Sequence, residues 1–301
     1  MQNETYVLTM DVPETLARKY GITEALVNPD LRERLETVQE VFAASYQAVM
    51  PDGVNTRLFY TGGMTEQLTA AAEKMRSAIG NPIVVSLDHV YDTKADFHLE
   101  ITRETNPMTG QKKLANRFGT PPINEQFKTL RRLSRKRGAN SDGVLLTDVG
   151  SFEGGTLGEV TKRLETYGIP LQGVVIGLTS SVGMSTLTAK FGEKIQMLEV
   201  IPSMFEWVEV RDLILIDGRK VPQIYTQDGV RRYIPYIDNL RDWATLRTQA
   251  QQDLAARLCN TAYSEVITLL RETGANTTAR IGEFVHLGQK PPSRTKSLVY
   301  G

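Results

Sequence analysis

The sequence holds a single cysteine, Cys259, and only three histidines. One thiol excludes an intrachain disulfide and a cysteine-rich zinc site. Cys259 falls in an amphipathic stretch, where a free thiol ordinarily packs as a small apolar group. His89, His98 and His286 are scattered, with neither a metal-ligand spacing nor the partners of a nucleophilic triad. Net charge is missing too: 35 Lys and Arg balance 35 Asp and Glu, so no overall field favours a polyanion or an acidic membrane. No run approaches the ~18 apolar residues of a membrane span. The first residues lack a basic segment followed by an apolar core, so they do not read as a signal peptide, and a cytoplasmic setting is expected. No repeat or low-complexity tract is visible. What remains is a chain of 301 residues, 41% hydrophobic, able to bury a sizeable core.

Its most informative stretch is Val144-Leu145-Leu146-Thr147-Asp148-Val149-Gly150-Ser151-Phe152-Glu153-Gly154-Gly155-Thr156-Leu157. The apolar start predicts a strand buried on both faces of a parallel sheet. Asp148 stands where that strand is expected to end, a glycine-rich turn follows, and 157–167 reads as a helix. Backbone N–H groups of such a turn, with the helix N-terminus, offer positive potential to a phosphate. An acidic group beside them can hold Mg²⁺ or a ribose hydroxyl.

Other segments complete an α/β pattern. Residues 1–50 read as helical after a short start, with helices over 13–21 and 28–49. A strand over 56–60, a Thr61-Gly62-Gly63 turn, a helix over 66–79 and a strand over 82–87 have the length of a parallel crossover. Alternation predicts a strand over 96–102. A basic helix follows, with Lys128, Arg131, Arg132, Arg135, Lys136 and Arg137 within about three turns. Further strands are expected over 171–178 and 196–201, and a short helix over 186–191. At least five strands alternating with helices predict an α/β fold with a mostly parallel central sheet and flanking helices. Ligands of such sheets sit at the carboxyl ends of the strands, where Thr61–Gly63 and Asp148–Thr156 both fall.

The 144–157 stretch resembles the loop that binds phosphoribosyl diphosphate (PRPP) in type I phosphoribosyltransferases: a hydrophobic strand, two acidic residues, small residues, then Thr-Gly-x-Thr or a variant. Asp148, Gly154, Gly155 and Thr156 match, whereas Val149 replaces the second acid and Glu153 stands where a small hydroxyl residue usually faces the 5-phosphate. The resemblance covers about 56–201. It implies phosphoribosyl transfer from PRPP to a nucleobase-like acceptor, with Mg²⁺ and release of pyrophosphate. Asp148 is then the catalytic and metal-binding acid. Ser151, Glu153, Gly154, Gly155 and Thr156 surround the 5-phosphate, Thr61, Gly62 and Gly63 meet pyrophosphate, and Arg135 closes over it.

By the same resemblance, 56–202 forms the core between a helical extension (1–55) and a hood-like hairpin region (203–238). A hairpin is signalled there by Asp217-Gly218, and Trp207, Tyr225, Tyr233 and Tyr236 are its stacking aromatics. Residues 239–301 form a helical segment and tail, suited to a homodimer contact. Two other readings stay open at this stage. One is an inactive relative that binds a nucleotide or nucleic acid as a regulator, favoured by Val149, Glu153 and the basic helix. The other is an unrelated nucleotide-binding α/β enzyme, though neither glycine turn spells G-x-G-x-x-G.

Overall fold

The computed structural model describes residues 4–50, 52–92, 94–105, 112–117, 120–137, 143–214, 223–225, 231–233 and 249–274. The chain opens with β1 (Glu4–Met10), α1 (Val12–Tyr20), α2 (Glu24–Val27) and α3 (Pro29–Gln47). Next come β2 (Val54–Tyr60), α4 (Thr61–Ala78), β3 (Ile83–Ser86), β4 (Phe97–His98), β5 (Ile101–Thr105), β6 (Lys112–Asn116) and α5 (Ile123–Lys136). After them lie β7 (Val144–Ser151), α6 (Gly155–Thr166), β8 (Leu171–Ser180), α7 (Ser181–Phe191), β9 (Ile195–Ile201), β10 (Met204–Glu209) and α8 (Val210–Leu213). The described chain closes with β11 (Gln223–Tyr225), β12 (Arg231–Tyr233) and α9 (Gln249–Glu272).

The central sheet has five parallel strands in the order β4-β3-β7-β8-β9. Period-2 alternation fixes its two faces. Val85, Leu146 and Ile176 look toward α5, α6 and α7 through Phe127, Leu130, Leu157, Leu164 and Leu187. Val84, Leu145 and Val175 look the other way, onto Met64, Leu68 and Ala72 of α4. Both faces are covered, which is why β7 and β8 carry near-continuous apolar runs. After β3 the chain adds β4 on one side and then returns to place β7 on the other. The crevice at the carboxyl ends of β3 and β7 is therefore a topological switch point.

The helices expected over 13–21 and 28–49 are α1 and α3, and the short start before them is a strand. Glu4–Met10 is a strand, parallel to β2 on one side and to β10 on the other, with Tyr6, Val7 and Leu8 wholly buried. Tyr6 and Leu8 are buried on one face and Val7 on the other, so the run shows no apolar–polar alternation. The three-stranded sheet β10-β1-β2 packs under α1 and α3, and Val266 and Leu270 of α9 join the same apolar cluster. The predicted crossover over 56–87 is thus corrected, since β2 and β3 lie in different sheets. Thr61–Gly63 is not a free turn but the first turn of α4. The 96–102 strand is also interrupted: β4 stops at His98, and β5 pairs antiparallel with β6. The short helix expected over 186–191 begins five residues earlier. Asp217-Gly218 lies outside the described residues, and β11 pairs antiparallel with β12.

Candidate functional site

A cleft opens at the switch point, and β7 supplies its floor. Asp148 lies within that strand, three residues before its end at Ser151, and faces the cleft. Burial, and next the negative charge of Asp88, push its carboxyl up to about 7, while the N–H groups of Val149 and Gly150 act the other way. The loop after β7 is braced from β8. Thr179 Oγ1 donates to the Ser151 carbonyl at 2.8 Å, and Ser180 Oγ donates to the Phe152 carbonyl at 2.6 Å. Gly154 sits at φ +83, and a Cβ there would lie 2.9 Å from Leu187 Cδ2. A glycine is needed on both counts.

Gly154 is also the N-cap of α6 and makes no side-chain cap bond. The first-turn amides, which have no partner within the helix, are therefore open to an anion in the cleft. Ser151, Glu153, Gly155 and Thr156 line the same space, with Glu153 exposed and Ser151 buried. Trp207 of β10 forms one wall. Its Nε1 donates to Thr9 Oγ1 at 2.9 Å, and its ring lies so close to Gly150 that a Cβ there would come within 3.1 Å of it.

Beneath the cleft runs a buried charge network that joins the two sheets. Arg211, 1% exposed, donates from its backbone N to Asp11 Oδ1 at 3.0 Å, and its Nε lies 3.0 Å from Asp11 Oδ2. Its Nη2 reaches Asp88 and Glu209. Arg117 Nη2 donates to Asp88 Oδ2 at 2.8 Å and lies 3.7 Å from Glu209 Oε2. Tyr91 Oη donates to Asp11 Oδ2 at 2.9 Å. Burial alone would raise the Asp88 carboxyl, but Arg211 and Arg117 hold it well below the usual carboxylate range. These three carboxylates and two guanidiniums come from the ends of β1, β3 and β10, from the residue after β6 and from α8. Asp88, Arg117 and Glu209 also face the cleft.

The expected site residues divide cleanly. Asp148, Ser151, Glu153, Gly154, Gly155 and Thr156 all line the cleft. Thr61, Gly62 and Gly63 do not: Thr61 is buried and its hydroxyl donates to the Met10 carbonyl. Arg135 is in the last turn of α5. Nearby Arg137 Nη2 pairs with Asp96 Oδ1 at 2.5 Å, and Asp96 Oδ2 accepts from Val84 N at 2.9 Å. That puts Arg135 near the end of the sheet where β3 begins, opposite the cleft. Of the expected stacking aromatics Trp207 is in place, Tyr225 and Tyr233 lie in the β11–β12 pair, and Tyr236 is outside the described residues. His89 sits beside the cleft rather than in it, its Nδ1 2.6 Å from Glu100 Oε1.

Sequence reasoning missed Asp11, Arg117, Glu209 and Arg211. The available signal was charge inside apolar runs, as in Val208-Glu209-Val210-Arg211, because a charge there must find a buried partner.

Among the described residues, no group of three or more His, Cys, Asp and Glu is arranged to hold a metal, and no helix is long and apolar enough to cross a membrane. No protein-family model and no curated protein matches the chain. Among solved structures the chain is similar to a purine phosphoribosyltransferase from Pyrococcus horikoshii Ot3. The identity is 13% and the TM-score 0.25, covering 49% of this chain and 82% of that one. At that level the likeness identifies no activity.

Proposed function

We propose that the cleft binds PRPP together with Mg²⁺ and that the chain transfers the phosphoribosyl group to a nucleobase-like acceptor. One observation carries this reading: Asp148 and the open N-terminus of α6 face a single cleft at the switch point, with Trp207 as its wall. The α6 amides suit a terminal phosphate, Asp148 suits ribose hydroxyls, and the Trp207 ring suits a planar acceptor. The donor set also fits Mg²⁺ in a particular way. Mg²⁺ commonly takes one or two carboxylates and completes its shell with substrate oxygens and water. Asp148 offers such a carboxylate, whereas Asp88 is committed to Arg117 and Arg211. When bound, the cation would neutralise charge on the departing pyrophosphate. Positioning and charge stabilisation would supply most of the rate.

Glu153 favours a second reading, in which a relative without this chemistry holds a nucleotide that has no phosphate at the loop. An exposed carboxylate beside the open α6 N-terminus competes with a phosphate for the same amides. Calorimetric titration of PRPP with Mg²⁺ separates the two. Under the first reading the native protein binds, Asp148→Ala abolishes binding and Glu153→Thr tightens it. Silence from the native protein, with binding by Glu153→Thr alone, rules out the first reading.

A further inference from the structure

The basic helix singled out in the sequence has no part in the cleft. Lys128, Arg131, Arg132, Arg135 and Lys136 recur at i, i+3, i+4, i+7 and i+8, which places them in one stripe along α5, and all five are exposed. The opposite face, through Phe127 and Leu130, is buried against the sheet. The stripe is poorly neutralised. Lys128 pairs with Glu125 at 2.8 Å, and Arg132 donates to Thr129 Oγ1 at 3.0 Å. No carboxylate among the described residues pairs with Arg131, Arg135 or Lys136. In a chain of zero formal net charge, such local segregation is a departure from the whole. A favourable interaction with the helix dipole accounts for cations in the last turn, but not for a stripe that continues upstream to Lys128.

We infer that this face of α5 binds the phosphodiester backbone of a nucleic acid. The stripe runs roughly 12 Å along the helix. At ~3.4 Å of duplex axis per phosphate on one strand, it spans about four phosphates. Three of its five cations are arginines, whose planar forks match phosphate oxygens. A membrane surface fits less well: among the described residues the exposed large apolar side chains are Val27, Val41, Leu58, Tyr60, Val182 and Met184, none of them on α5. The helix therefore has nothing to insert among acyl chains. Cations that meet phosphate oxygens position a nucleic acid without reading its sequence. The inference is independent of what the cleft binds.

The test is fluorescence anisotropy of a labelled mixed-sequence 20-base-pair DNA, and of an RNA hairpin in parallel, with the full-length protein. Neutralising about four phosphates gives a log–log salt slope of about −3.6, or on the order of a hundredfold loss of affinity between 50 and 200 mM salt. Arg131→Glu with Lys136→Glu should weaken binding at 50 mM salt at least tenfold and roughly halve the slope, while Arg131→Gln with Lys136→Gln should fall between. Circular dichroism and the melting midpoint establish that both variants are folded. Three results overturn the inference: no salt-sensitive binding of either nucleic acid by the native protein, binding that both double variants leave unchanged, or capture by phosphatidylserine vesicles in its place.

Discussion

Asp148 retains a proton in the native state at pH values where the unfolded chain has released it. Its carboxyl is pushed up to about 7, from a usual value near 4. The folded state therefore binds more protons than the unfolded state across that interval. The stability contributed by this group is fully present below about pH 4 and is lost as pH rises through about 7. Urea midpoints measured without divalent cation should accordingly show a component that declines from pH 5 to pH 8, and Asp148→Asn should remove it. Cation affinity at the cleft should run the opposite way, rising toward pH 8 as the proton ceases to compete. Arg211 makes a different prediction at the same scale. Removing its guanidinium takes away the cation that Asp11, Asp88 and Glu209 share, so Arg211→Met should cost about 3–5 kcal/mol in a denaturant titration.

At the scale of elements, the β7–α6 turn depends on a left-handed residue pressed against α7. Gly154→Ala meets both an unfavourable φ and Leu187, and should cost about 1–2 kcal/mol from the backbone term alone. Ligand affinity should fall with it, since the turn aims the α6 amides. Much of this turn was legible in the sequence because its parts are contiguous: Asp148 to Thr156 is one strand end, one loop and one helix start. β7 and β8 were equally legible from their apolar runs. What was not legible was assembled from a distance. Asp11, Asp88, Arg117, Glu209 and Arg211 arrive from separate elements, and only the packed sheets bring them into contact. β6 escaped because Lys112-Lys113-Leu114-Ala115-Asn116 has one large apolar residue, and its strand character comes from pairing with β5. Thr61–Gly63 misled for a related reason. A glycine pair after a strand signals a turn, but it does not say which sheet the strand belongs to.

For the molecule as a whole, the five-stranded sheet does not stand apart from its flanking sequence. Val7 of β1 packs with Met64, Leu68 and Val84, and Asp11 anchors Arg211 beneath the cleft. Removing residues 1–11 takes out the middle strand of the second sheet along with that anchor. The truncated chain should lose cooperative thermal unfolding and bind a hydrophobic dye, both measurable against the intact protein.

The position of β1 between β2 and β10 also sets an order of events. β2 lies about 50 residues downstream of β1, but β10 lies about 200 residues downstream. At roughly 5–20 residues per second of synthesis, β10 leaves the ribosome some 10–40 s after β1. Throughout that interval β1, even when paired with β2, presents a bare apolar edge able to pair with another chain. Yield of this protein should therefore depend on how well nascent chains are kept apart, more than its finished stability would indicate.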